Sequence, residues 1–240
     1  DDKVKAFICT QDLKDENYIN NHYVVMATKK GQVKKTSLEQ YSRPRVNGIN
    51  AITIREGDEL LEAKLTTGSS QVVLAVKSGK AIRFEESKTR PMGRNASGVR
   101  GIKLSHSSDE VVGMVAVNDL DTDILVVSEN GYGKRSKLED YRITNRGGKG
   151  VKTLSVTEKT GNLVSIKNVI DSDDLMIINR SGIAIRLGVE SLRVMGRATQ
   201  GVRLINIKQD DSIAAVAKVM NDDDDIQDVD DLNVTIEENN

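Results

Sequence analysis

The chain has 240 residues, 30% of them charged, with a net charge of −1. A single cysteine rules out a disulfide within the chain and suits a reducing cytoplasm, and no run reaches the roughly 18 apolar residues that a membrane-spanning helix needs. The near-neutral total conceals an asymmetry. Residues 221–240 hold nine carboxylates and neither Lys nor Arg, which leaves 35 basic against 27 acidic residues in 1–220, a surplus of eight positive charges. A basic body with an acidic end is the balance of a polyanion binder.

Taken in chain order, the first stretch resembles the end of something repeated later. Asp2–Leu13 (DKVKAFICTQDL) lines up with Asp109–Leu120 (DEVVGMVAVNDL), so residues 1–22 are expected to be the end of an upstream repeat, and the chain is read as a fragment. Four repeats are expected at 23–71, 72–123, 124–174 and 175–220. They open on YVVMATKKGQVKKT (Tyr23–Thr36), VVLAVKSGKAIRF (Val72–Phe84), ILVVSENGYGKRS (Ile124–Ser136) and LMIINRSGIAIRL (Leu175–Leu187), with Gly31, Gly79, Gly131 and Gly182 at the turns.

Within a repeat, four to six apolar or β-branched residues predict a buried strand, and the glycine supplies the positive φ of a tight hairpin. The return strand alternates (Ala81-Ile82-Arg83-Phe84), which predicts one wet face. A short polar stretch with an apolar anchor, such as Ser136–Tyr141, is long enough for one helical turn. A loop then ends at a second glycine (Gly48, Gly98, Gly150, Gly201), and further strands are expected at Ile102–Leu104 and Leu204–Ile207 before the closing strand. A period of about 50 residues built from short strands indicates an all-β, propeller-like array of four-stranded blades over 1–220. Residues 221–240 read as a disordered acidic tail, with Val229, Leu232, Val234 and Ile236 as material for one edge strand.

Cations recur at fixed places in these repeats. Four residues beyond each hairpin glycine stands Lys35, Arg83, Arg135 or Arg186, with Lys34 and Lys134 beside two of them. The later loop keeps the frame Arg-x3-Arg-x3-Gly at Arg90/Arg94/Gly98, Arg142/Arg146/Gly150 and Arg193/Arg197/Gly201. Two residues further on come Arg100, Lys152 and Arg203. The first repeat has a shorter version, Arg43 and Arg45 before Gly48. Such residues also cap carbonyls, pair with carboxylates or protect strand edges, so each has a structural reading beside the functional one. As a set they read as a positive stripe along a rim, for which the partner is nucleic acid. Glycines in the loops would let backbone N–H groups approach a phosphate. With 3% aromatic residues and no Trp, stacking platforms for single strands are scarce, and no helix is available to read a groove. Sequence-tolerant contact to the duplex backbone remains, with roughly 8–12 phosphate contacts.

Catalytic chemistry is not evident. Tyr41 and Tyr141 stand near arginines but read as packing residues; His22, His106 and Cys9 lack metal-ligand spacing; no glycine-rich loop with Lys-Ser/Thr offers an ATP site.

Segments such as ATKKGQVKKTSLEQYSRPRVNGINAI, RPMGRNASGVRGIKL, ENGYGKRSKLEDYRITNRGGKG and RVMGRATQGVRLINI resemble the C-terminal domain of the bacterial DNA gyrase A protein, over Asp1 to about Met220. The resemblance implies a β-pinwheel with strands exchanged between neighbouring blades. It further implies a role in wrapping duplex DNA for an ATP-dependent type II topoisomerase that introduces negative supercoils. The implied partners are the N-terminal domain of the same chain and the gyrase B protein in a cytoplasmic, nucleoid-associated A2B2 holoenzyme, which uses ATP and Mg2+ elsewhere. The family's Gln-Arg-Arg-Gly-Gly-Lys/Arg-Gly box is matched at its last five positions by Thr144–Gly150, where Lys149 adds a cation; this is a degenerate copy, with the box itself expected upstream. The acidic end resembles the family's variable tail, a competitor for the rim. Two other readings share the pattern: the corresponding domain of topoisomerase IV, and a propeller scaffold that binds acidic proteins.

Overall fold

The computed structural model describes residues 3–208 and 210–219; the acidic tail and its expected strand lie outside the described residues. A short helix, α1 (Glu16–Asn21), comes first. The first repeat forms β1 (Tyr23–Thr28), β2 (Gln32–Ser37) and β3 (Leu60–Thr66). The second forms β4 (Gln71–Val76), β5 (Lys80–Glu85), β6 (Val99–Arg100) and β7 (Val111–Val117). The third forms β8 (Asp123–Ser128), β9 (Tyr132–Lys137), β10 (Val151–Lys152) and β11 (Leu163–Val169). The fourth forms β12 (Asp174–Asn179), β13 (Ala184–Gly188), β14 (Val202–Arg203) and β15 (Ile213–Val219). A single 3-10 turn follows each hairpin, at Leu38–Tyr41, Glu86–Lys88, Leu138–Asp140 and Val189–Ser191.

The sheets run β3-β1-β2-β6, β7-β4-β5-β10, β11-β8-β9-β14 and β15-β12-β13. The outer two-residue strand of each four-stranded blade therefore belongs to the next repeat, the strand exchange that the family resemblance implies. At the opposite edge, residues from β3, β7, β11 and β15 line one cavity of about 610 Å3 together with Val4–Phe7, and this is the hub. The exchanged strands mark the rim.

Three hydrophobic cores each lie between two blades, and a fourth packs Val24, Met26 and Leu38 of the first repeat against Ile19 of α1. Val72, Leu74 and Val76 of β4 pack with Val25, Ala27 and Val33 of the first blade, whereas Val73 and Ala75 face Ile124, Val126 and Tyr141 of the third. A strand buried on both faces needs apolar side chains at every position, which explains the unbroken run Val72–Val76. The fourth hairpin has such a neighbour on one side only: Leu175 and Ile177 are buried against the third blade, while Met176 and Ile178 are half-buried.

The second glycine of the last three repeats is explained by the exchange. Gly150 has φ 71°, and a side chain there would place Cβ 2.5 Å from the Ala81 carbonyl oxygen of the preceding blade. Gly150→Ala is expected to lose about 2 kcal/mol or more, since both the conformation and the space exclude a methyl; thermal melting of the variant checks this.

Some local expectations are corrected. The strands expected at 102–104 and 204–207 fall instead at 99–100 and 202–203. Residues 3–10 pair in no strand, and α1 was not expected. Its signal was present in Asp15, an N-cap whose carboxylate accepts from Asn17 N–H at 2.9 Å and Tyr18 N–H at 3.2 Å. The return strand β5 has no wet face: Ile82 and Phe84 are buried against the preceding blade and Ala81 and Arg83 against the next, whereas Ala184 and Arg186 of β13 stay exposed.

Candidate nucleic-acid interface

The repeated cations separate into two populations. Lys34, Lys35, Arg83, Lys134 and Arg135 are buried, and the structure uses them to hold one blade to the next. Arg83 donates from Nη1 to the carbonyls of Leu138 at 2.7 Å and Tyr141 at 3.1 Å, on the following blade's 3-10 turn, and from Nε to Gln71 at 2.8 Å. Arg135 repeats this with the Leu192 carbonyl, and adds ion pairs with Asp171 and Asp123. Burial pulls the Arg83 guanidinium below its ordinary value.

Lys35 meets the following turn differently, through an ion pair with the fully buried Glu86 at 3.4 Å. Glu86 opens its 3-10 turn, where Leu138 and Val189 open theirs. A lysine thus serves where the turn offers a carboxylate, and an arginine fork serves where it offers carbonyls. Lys34 donates to the carbonyls of Ala51 and Arg94, and Lys134 to the Gly196 carbonyl at 2.6 Å and Thr199 Oγ1 at 3.1 Å. Burial, helped by a nearby Arg94 or Arg197, pulls both amines down to about 8. These five residues are therefore removed from the candidate interface, and the phosphate role expected of them is corrected to an inter-blade one. Arg186, at the equivalent position of the fourth hairpin, stays at the surface and pairs with Asp174.

The loop cations lie outside, on the rim. Arg43, Arg45, Arg90, Arg100, Arg142, Lys149, Lys152 and Arg193 are exposed, and among the described residues their side chains make no hydrogen bond or ion pair. All four repeats contribute. The second arginine of each frame is half-buried and reaches back one repeat: Arg94 to the Asn50 carbonyl at 3.5 Å, Arg146 to that of Arg100 at 3.2 Å, Arg197 to that of Lys152 at 2.7 Å. Those three carbonyls occupy one repeat position, so successive rim loops are linked in series by one device. Each guanidinium has five N–H donors and keeps some for a ligand. Arg203 rests on Tyr132, with Nη2 2.8 Å from its hydroxyl.

Two hollows open beside these loops. One of about 320 Å3 is bordered by Arg142, Thr144, Asn145 and Lys149 together with Ile82 and Val151. Another, of about 460 Å3, is bordered by Arg43, Arg45 and Arg94 together with Glu39. Of the glycines in the Thr144–Gly150 segment, Gly147 does not present a free amide as expected, because its N–H donates to the Gly101 carbonyl at 2.6 Å. Gly150 serves close packing on the preceding blade.

Tyr141 is buried, with its hydroxyl 2.5 Å from Thr153 Oγ1, and burial pushes the phenol up to about 12. Among the described residues, no group of three or more His, Cys, Asp or Glu side chains is placed to hold a metal ion, and no helix is long and apolar enough to cross a membrane.

A family model described as "DNA gyrase C-terminal domain, beta-propeller" matches four times, at residues 22–67, 71–118, 122–170 and 173–220. The DNA gyrase A protein of Staphylococcus aureus (strain NCTC 8325 / PS 47) is 45% identical over 227 residues, covering 94% of this chain and 25% of that protein. The chain thus spans about a quarter of the length of the curated relatives it matches. Among solved structures, a C-terminal domain of DNA topoisomerase IV is similar with TM-score 0.79 and 25% identity, over 83% of this chain and 62% of that one. A DNA gyrase A C-terminal domain is similar in fold with TM-score 0.76 and 24% identity, over 84% and 67%.

Proposed function

This chain belongs to the DNA gyrase C-terminal domain family, and we propose that it holds duplex DNA by its phosphates and bends it around the rim. One observation carries the reading: exposed, unpaired cations recur on all four rim loops, which the second arginines tie in series. Bending 20–30 base pairs by 40–90° costs on the order of 1–6 kcal/mol, and charges spread along the bend offset that cost where one compact patch could not. The phosphate contacts are Arg43, Arg45, Arg90, Arg94, Arg100, Arg142, Arg146, Lys149, Lys152, Arg193, Arg197 and Arg203, with Arg186 at the end of the series. In the whole protein, the wrapped segment is handed to the strand-passage machinery of an A2B2 gyrase in the bacterial cytoplasm, with ATP and Mg2+ bound by other domains. The identity to the gyrase A protein favours gyrase over topoisomerase IV, whose domain shares the fold.

Titrating the 240-residue chain with linear duplex between 50 and 200 mM salt tests this. Twelve phosphate contacts predict a loss of affinity of about 10^6 or more across that range, whatever the sequence. No binding at 50 mM salt would remove the DNA reading and leave the protein-scaffold one.

A further inference from the structure

Three joints between successive rim loops are built alike. An arginine of the later loop donates from Nη1 to the carbonyl two residues beyond the earlier loop's glycine: Arg94 to Asn50 at 3.5 Å, Arg146 to Arg100 at 3.2 Å, Arg197 to Lys152 at 2.7 Å. A backbone bond fixes each joint beside that tie. Thr53 N–H donates to the Ala96 carbonyl at 3.3 Å, Lys103 to Gly148 at 2.8 Å and Ser155 to Thr199 at 3.1 Å.

The tie requires only a carbonyl, which any residue supplies, and in the first joint Asn50 supplies it. The fold therefore does not need a cation at this position, yet the second and third joints carry Arg100 and Lys152, both exposed. The second joint shows what this places together. The Arg100 side chain runs over Gly147, where a Cβ would lie 3.7 Å from its Cγ and Cδ, and Gly147 is the neighbour of Arg146. Neither arginine makes an ion pair among the described residues. Arg146 donates to the Arg100 carbonyl and, from Nε, to the Lys88 carbonyl at 2.9 Å, which leaves both Nη2 hydrogens for a ligand. Like charges held this way repel, and an anion between them cancels the repulsion.

We propose that these two joints are composite phosphate clamps, in which one cation from each of two successive repeats closes on a single phosphate of the duplex backbone: Arg100 with Arg146, and Lys152 with Arg197. The first joint, with Asn50 beside Arg94, is a half-clamp. This inference rests on the DNA reading above and adds to it which cations act together. A guanidinium meets phosphate through paired N–H donors, and a second cation on the far side strengthens that contact. Because one phosphate serves both cations, losing either opens the clamp, and losing the other as well adds little.

Two cycles in the 240-residue chain test this, with thermal melting to show that each variant is folded. Arg100→Gln and Arg146→Gln are each expected to weaken duplex binding about eightfold at 0.1 M salt, the counterion term of one contact. The double variant should lose no more than about fifteenfold, where independent contacts would multiply to about 60-fold. The second cycle adds a charge. Asn50→Arg, at an exposed position, completes the first clamp and should tighten binding about eightfold with Arg94 present, but by about twofold or less in an Arg94→Gln background. A gain of equal size in both backgrounds, or a double loss near 60-fold, would overturn the clamp and leave the rim cations as independent contacts. Failure of the parent chain to bind duplex at 50 mM salt is a separate result, which removes the DNA reading and the clamp with it.

Discussion

Arg135→Ala is expected to melt well below the parent chain while leaving the salt dependence of duplex binding unchanged in the molecules that stay folded. Arg135 is 8% exposed and joins three groups: the Leu192 carbonyl on the next blade's turn, Asp171, and the buried carboxylate of Asp123. Truncation leaves the carbonyl without this donor and Asp123 with Lys137 as its remaining ion-pair partner, at 3.1 Å. Removing one member of a buried charged set costs about 3–5 kcal/mol. For a domain of this size that lowers the melting temperature by roughly 6–20 °C. Arg135→Lys should recover only part of the loss, because an ammonium cannot reproduce the fork, and Val189 stands where Glu86 serves Lys35 in the first blade. A parent-like melting curve for Arg135→Ala would show that the contact between the third and fourth blades does not depend on it. Charge reversal at Arg83 and Arg135 accordingly reports on folding and not on DNA contact.

The difference between Arg135 and Arg142 marks how far the sequence could be read. Repeat spacing, hairpin glycines and the apolar runs made the blades legible, because strand and turn are local choices written in β-branched residues and Gly79-like positions. The helical turn anchored by Leu138 was legible for the same reason. Whether a strand's second face is wet depends on what covers it, and that is a property of the neighbouring repeat. Arg83 in Ala81-Ile82-Arg83-Phe84 looks like an exposed residue on an amphipathic strand, yet the following blade closes over it. One signal could have placed it inside: the cation is Lys where the next turn opens with Glu86, and Arg where it opens with Leu138 or Val189. The loop cations were found by repetition alone, and the exchanged strands put them outermost. Strand exchange itself followed from the family resemblance and not from spacing, since nothing in Val99–Arg100 says which blade it completes.

The other large effect is expected from neutralising the rim. Arg90, Arg142 and Arg193 head the three full frames, are exposed, and make no side-chain hydrogen bond or ion pair among the described residues. Changing all three to Gln should therefore leave the melting temperature within about 3–6 °C, because each surface substitution without a partner usually stays within about ±0.5 kcal/mol. Duplex binding responds differently. Each phosphate contact contributes about 0.9 to the slope of log K against log salt, so three lost contacts lower the slope by about 2.7. At 0.1 M salt the same counterion term amounts to roughly a 500-fold loss of affinity. A control set of equal charge, Lys3, Lys14 and Lys64 to Gln, lies in the first segment and on the inner strand β3, away from the exchanged strands. If net charge alone governed binding, the two triples would weaken it equally. If the rim is the track, only the first lowers the slope, and only the first straightens the bound duplex. Equal losses from both sets would sink the rim assignment even though binding itself was real.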